Sequence, residues 1–242
     1  QTCCICGKVT HRYVRDYWGN VACEEHGAPC QYCGSIVKKG QSFKYTYIQG
    51  GERITLNKQI CDKCASSIVK TPEQIERCHR EVMDIFKAHG ITGIPDDIPI
   101  CLSDMKEESE KKGFGIWGLN YGRISSSRSH YSCEISIHEN LPSLVFKGVL
   151  AHELLHSWIA LYAIQLPDNE EEGLCNLGKF LILRQEKSKE ADYLIHWALE
   201  GNKDPVYGDG YRLMKKRLEK LGWKGLMDAL LWENKAPEHI EL

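Results

Sequence analysis

The chain lacks any run approaching the roughly 18 consecutive apolar residues of a membrane-crossing helix, and no charged-then-apolar leader opens it. A soluble, cytoplasmic protein with no membrane partner is therefore expected. It also lacks a long basic stretch, since 31 Lys+Arg stand against 33 Asp+Glu for a formal charge of -2. Phosphate binding needs an excess of cations, so a nucleic-acid partner is not expected and a zinc-finger transcription factor finds no basic patch to work with. Position 1 is Gln1 and not Met, as in a trimmed or processed fragment. The 242 residues, 42% hydrophobic and 26% charged, have the balance of a globular protein rather than a disordered or fibrous one. That length accommodates one large domain or a small one followed by a medium one.

Cysteine is abundant and unevenly spread, with 12 in the chain and eight of them in the first 64 residues. They fall in pairs: Cys3-x2-Cys6, Cys23-x2-His26, Cys30-x2-Cys33 and Cys61-x2-Cys64. Eight ligands make two tetrahedral sites. Zinc suits them because it accepts thiolate and imidazole at tetrahedral corners, and a two-residue gap lets a tight knuckle present both donors. Read in order, one ion takes Cys3, Cys6, Cys23 and His26, and the other takes Cys30, Cys33, Cys61 and Cys64. Cys4 competes with Cys3. Interleaved pairing has the same spacing, although the three residues between His26 and Cys30 favour two stacked modules. Disulfides fit the pattern less well, and so short a stretch with few large apolar residues could hardly fold without metal.

The segment Tyr17-Trp18-Gly19-Asn20, leading to Cys23-Glu24-Glu25-His26 and Cys30-Gln31-Tyr32-Cys33, resembles a LIM domain. That resemblance implies a protein-binding platform. The long gap after Cys33 departs from it and is expected to hold a hairpin, with Ser42 to Ile48 and Arg53 to Leu56 flanking the turn Gly50-Gly51.

Composition changes after Ile68. Thr71-Pro72-Glu73-Gln74 predicts a helix start with a capping box. Ile75, Cys78, Val82, Ile85 and Phe86 then share a face until Gly90. Glu107 to Lys112 is a charge run expected to be solvated. Gly113 to Ile124 reads as a strand with turns, and Tyr131 to His138 alternates as one strand, with Tyr131, Cys133, Ile135 and Ile137 on one side. Cys78, Cys101, Cys133 and Cys175 lack paired spacing and are expected to be core thiols.

A helix beginning near Asn140-Leu141-Pro142 is apolar nearly all round, yet it contains His152-Glu153-Leu154-Leu155-His156. Ionisable side chains in a buried helix are costly unless paired, and metal is the economical partner. His152 and His156, four residues apart, can aim ring nitrogens at one zinc. Glu153 sits beside that face as a non-ligand, placed to take a proton from water and return it to a leaving amine. A third ligand is needed. Glu170, Glu171 and Glu172 all precede the apolar helix Leu174 to Leu183, and periodicity does not choose among them.

In gluzincin peptidases the third ligand is a Glu followed by Gly at the start of such a helix, which Glu172-Gly173 resembles. The resemblance implies Glu172 as ligand, Glu171 as runner-up, and a first helix ending soon after Leu161. Pro205-Val206-Tyr207-Gly208-Asp209-Gly210 resembles the clan's Tyr-x-x-Gly element, which makes Tyr207 an oxyanion donor. His196 is a weaker candidate for that role, and His138 an exposed strand end. The strand Tyr131 to His138 occupies the place of the clan's substrate-binding edge.

Taken together, the order of parts resembles the plant LIM-domain peptidases that limit organ growth and are activated by ubiquitination. The expectation is an α+β chain: a LIM-like double zinc module at 1–70, then a mainly helical gluzincin metallopeptidase domain with a small sheet at 71–242. The resemblance implies a zinc endopeptidase making limited cuts in protein substrates, with one catalytic and two structural zinc ions. The LIM-like part would recognise partners or ubiquitin. The chain departs from that family in showing no ubiquitin-interacting helices upstream and no long insertion between Leu183 and Pro205. The alternative is a non-catalytic LIM-type adaptor on a peptidase-like scaffold. Retention of Glu153 speaks for the enzyme.

Overall fold

In the computed structural model, residues 1–40, 42–49, 52–105, 117–124 and 131–234 are described; for 42–49, 52–58, 123–124 and 131 the backbone alone is considered. The turn at Gly50-Gly51, the charge run from Glu107 to Lys112, and 113–116 of the Gly-rich stretch lie outside the described residues.

Two short antiparallel pairs open the chain: β1 (Tyr13–Arg15) with β2 (Val21–Cys23), and β3 (Gly27–Pro29) with β4 (Ile36–Lys38). The expected hairpin follows, with β5 (Ser42–Gln49) and β6 (Glu52–Gln59) antiparallel from Ser42↔Gln59 to Gln49↔Glu52. Helix α1 (Asp62–Ser66) presents the last cysteine pair. Cys3, Ala22 and Cys23 form a small core of their own, whereas Cys30, Tyr32, Cys33, Val37 and Cys64 join the main core of the chain. Backbone and side chain seal that junction. Tyr32 Oη donates to the Asn140 carbonyl at 3.0 Å, the Ser143 N–H bonds Ser67 O at 2.8 Å, and Ile68 bridges Pro142.

Helix α2 (Pro72–Ala88) begins with the expected capping box between Thr71 and Gln74. Its buried stripe is Cys78, His79, Val82, Met83 and Phe86, so His79 and Met83 are covered where Ile75 and Ile85 remain only partly so. The single strand expected from Tyr131 to His138 is two. β10 (Tyr131–Ser132) pairs with β9 (Arg123–Ile124), while β11 (Ile135–His138) is the centre of a three-stranded sheet. There β11 runs parallel to β7 (Ile100–Ser103) and antiparallel to β8 (Gly118–Asn120). Ser136 is buried along with Ile135 and Ile137, so both faces of this central strand are covered. The edge beside the cleft is therefore β8, and the expectation that 131–138 forms it is corrected.

Among the described residues, four helices and a π-helical segment follow: α3 (Ser143–Leu161), α4 (Asp168–Glu186), α5 (Lys189–Leu194), the π segment Ile195–Glu200, and α6 (Tyr207–Glu233), which is broken at Gly222. By length and composition α3 passes the test for a membrane span, but 72% of its apolar window is buried inside the fold, as befits a core helix. Its one buried cation, Lys147, meets Glu81 of α2 at 3.0 Å and Glu186 of α4 at 2.5 Å. Helix α4 starts at Asp168, so the three glutamates lie in its first turns and not ahead of it.

Candidate metal centre and cleft

The N-terminal ligands assemble in the sequential order. Cys3, Cys6, Cys23 and His26 form one cluster and Cys30, Cys33, Cys61 and Cys64 the other, with the donor atoms of each within 4.8 Å of one another. Cys4 is exposed and stands apart. All 12 cysteines are free, which removes the disulfide reading. Sulfur–sulfur separations of 4.0 Å (Cys6 to Cys23) and 3.7 Å (Cys33 to Cys61) approach the edge of a tetrahedron of about 3.8 Å that Zn–S bonds of about 2.3 Å define. Backbone N–H groups of Ile5 and Cys6 point at the Cys3 sulfur and that of Cys64 at Cys61, as thiolates require. In the second cluster, hydrogen bonding from Cys33 and Cys64 favours ionisation of Cys30, and the reciprocal contacts push Cys64 up. A divalent cation relieves that competition by accepting all four sulfurs.

The second constellation lies where α3 and α4 pack. His152 Nε2 is 3.1 Å from Glu172 Oε2, and His156 Nε2 is 3.7 Å from the same oxygen. The outer nitrogens have other partners: His152 Nδ1 meets Asn176 Oδ1 at 3.2 Å, and His156 Nδ1 meets Glu171 Oε1 at 3.0 Å. With these partners on Nδ1, both rings turn Nε2 inward, the nitrogen that a metal would take from the neutral ring. Adjacent carboxylates thus face opposite nitrogens of one ring. Glu170 turns away to Arg217 at 3.3 Å. The Glu172 Oε2 atom is buried with no hydrogen bond of acceptable geometry. Two inward imidazole nitrogens and an orphaned carboxylate oxygen at one point are a donor set that fits zinc. Burial opposes ionisation of Glu172, but His152 and His156 outweigh it and hold its carboxyl well below the usual range.

Cys175, a core thiol in the sequence reading, is fully buried, and its sulfur joins His152 and His156 in one cluster. Burial pushes its thiol up to about 11, which keeps it neutral beneath the rings. Asn176 and Cys175 carry no spacing motif. Their only sequence signal is helical: four and three residues beyond Glu172 on the same helix.

Glu153 is buried beside this centre and borders a cleft of about 900 Å³ lined by β8, α3, α4 and the segment Asn202 to Tyr207. Tyr207 stands in that wall as the first residue of α6, not in a loop. Asp204 Oδ1 accepts from the Val206 and Tyr207 N–H groups at 2.8 and 2.9 Å and so starts the helix. Burial, then the Glu172 charge, pushes the Tyr207 hydroxyl up to about 12, so it remains a donor. Two glycines set its approach. A Cβ at Gly173 would strike the Gly210 carbonyl, and one at Gly210 would strike the Asn169 carbonyl. The Glu172-Gly173 and Gly208-Asp209-Gly210 segments are thus the two faces of one close helix contact. His196 lies outside the cleft, exposed against the Tyr17 ring at 5.1 Å. His138 likewise stays on the sheet, its Nδ1 2.6 Å from Glu139 O.

The DA1-like family, described as "Protein DA1", matches residues 100–193, from β7 through α3 and α4 into α5. Protein DA1 of Arabidopsis thaliana is 20% identical over 96% of the chain and 54% of its own length. Protein DA1-related 2 of the same plant is 24% identical over 76% of the chain and 35% of its own. The LIM domain-containing protein HDR3 of Oryza sativa subsp. japonica is 21% identical over 74% and 42%. The chain spans about half or less of the length of these curated relatives, and no solved structure matches. A chain with two LIM-like Cys/His clusters and a third, His/Glu constellation therefore has its homologues among the DA1-like and LIM domain-containing proteins.

Proposed function

We propose that the chain is a zinc-dependent endopeptidase that makes limited cuts in protein substrates, with the LIM-like clusters serving partner recognition. The observation that carries this reading is the convergence of His152 Nε2, His156 Nε2 and Glu172 Oε2 in a cleft that also holds Glu153. His152, His156 and Glu172 would hold the ion. Zinc bound there would supply Lewis acidity toward a water and a peptide carbonyl. Glu153 takes the proton of the attacking water and returns it to the departing amine. Tyr207, kept protonated, donates to the oxygen on which negative charge develops. The edge strand β8 offers its backbone to an extended peptide. Ubiquitin or ubiquitinated proteins are the partners the family resemblance suggests.

The test is to count metals in the purified chain and in His152→Ala, and to assay Glu153→Gln beside the unaltered protein on a quenched peptide library. Three zinc ions per chain, one lost in His152→Ala, and cleavage abolished by Glu153→Gln are expected. Two ions with no dependence on Glu153 would leave a binding module and sink the enzyme.

A further inference from the structure

Seven residues beyond Glu172, two turns along the same face of α4, Lys179 lines the cleft with Trp117 and Val149. Its stem packs over Gly148, where a Cβ would lie 3.2 Å from Lys179 Cγ. Its ammonium stands 6.0 Å from the centre of the Trp117 ring, at the outer reach of a cation–π contact. Trp117 is itself backed by Tyr32 of the second zinc cluster, ring centres 6.3 Å apart. Among the described residues no hydrogen bond or ion pair reaches the Lys179 ammonium. The contrast is the buried Lys147, which meets two carboxylates.

An ammonium partly removed from water without a counter-ion is costly. Burial alone lowers Lys179 to about 8, which still leaves it mainly charged at neutral pH. The anionic groups of the cleft, Glu153, Glu171, Glu172 and Asp204, lie around the metal centre and Tyr207. Lys179 is the one Lys or Arg among the described residues that line the cleft, and an entering carboxylate is attracted at that Trp117 end.

We propose that Lys179 is the recognition point for a substrate carboxylate, so that the cleft selects peptides carrying an Asp or Glu side chain, or a free chain end, close to the bond that is cut. This rests on the peptidase reading for the word substrate, but not for the carboxylate site. Lys179 is then a specificity residue, and the second zinc cluster supports its subsite through Tyr32 and Trp117.

The test uses two pools of acetylated peptides that differ only in carrying Asp and Glu or their amides Asn and Gln, each made with free and with amidated C-termini. The pools are passed over the full zinc-loaded chain carrying Glu153→Gln, and retention is read by mass spectrometry. Expected is an acid-to-amide retention ratio of about 10, the gain of one charge-assisted contact. It should fall to about one when Lys179→Met is added and below one with Lys179→Glu, as the charges then repel. A preference within the amidated set assigns a side chain, and one confined to free ends assigns the terminus. A ratio of one with Lys179 present, or a preference unchanged in both Lys179 variants at full metal content, overturns the proposal. The same pools given to the unaltered protein report cleavage separately: retention without cleavage sinks the peptidase reading and leaves the carboxylate site standing.

Discussion

The side-chain amide of Asn120 donates to the backbone carbonyl of Glu153 at 2.8 Å. The edge strand of the sheet is thereby tied to the turn of α3 that carries the proposed base. The same Nδ2 reaches Ser157 Oγ at 2.6 Å, and Cys133 approaches both partners at 3.3 Å. Replacing Asn120 by Ala leaves a buried contact unmade, at about 1–3 kcal/mol of stability. Strand β8 is then free to shift against Glu153. We expect peptide cleavage to fall about 10-fold or more at unchanged zinc content, since misplacement on that scale is costly to an organised site. Loss of stability with intact activity would show that the bond serves the fold alone.

Gly118 faces the base still more closely. A Cβ there would lie 2.5 Å from Glu153 Oε1 and 2.6 Å from Val149 Cγ1. Gly118→Ala should therefore displace the Glu153 carboxylate and depress kcat while the His-bound metal stays. A metal count of three with normal kcat would contradict this placement.

Glu171 and Glu172 face opposite nitrogens of His156, at 3.0 and 3.7 Å. Glu172→Ala should empty the third zinc site, whereas Glu171→Gln should weaken zinc by about 10–100-fold and retain it at stoichiometric supply. Burial opposes a charged His156, but its contacts with Glu171 and Glu172 favour it, and its pKa is raised in the metal-free centre. Zinc takes the neutral ring, so loading should release a proton and tighten as pH rises. Calorimetry in buffers of different ionisation enthalpy reads the proton directly. Zinc uptake without proton release, or an empty site in Glu171→Gln but not in Glu172→Ala, would reverse the assignment.

Lys147 joins α2, α3 and α4 through Glu81 and Glu186. Burial opposes its charge, yet Glu186 and Glu81 outweigh burial and raise its pKa. A raised folded-state value contributes stability that is fully present below the ordinary lysine pKa of about 10.4 and is lost as pH rises through the folded value. Lys147→Ala should cost about 1–3 kcal/mol at pH 7, with the difference from the unaltered protein shrinking as pH rises above about 10. Urea denaturation from pH 7 upward checks it; a difference already absent at neutral pH would not fit.

Much of this was legible beforehand because it is local. Two-residue gaps between cysteines set the knuckles, and the four-residue gap between His152 and His156 follows from 3.6 residues per turn. The capping box at Thr71 and Gln74 and the end of α3 at Leu161 depend on neighbours in the chain. Alternation over Tyr131 to His138 was legible too, but it says which residues alternate and not where the strand breaks or which neighbours it gains.

What the sequence by itself determined is therefore the inventory: eight N-terminal metal donors in four spaced pairs, a buried helix bearing His152, Glu153 and His156, and three candidate carboxylates. Tertiary packing alone decided that Glu172 and not Glu171 turns toward both Nε2 atoms, that β8 rather than β11 borders the cleft, and that Cys175, Asn176 and Lys179 line or underlie it. The reason is physical. Spacing constrains side chains on one element, within a turn or a pleat, whereas these outcomes depend on how α3, α4, α6 and the sheet approach one another. That approach is set by glycines at 118, 173 and 210, whose missing side chains no periodicity can register.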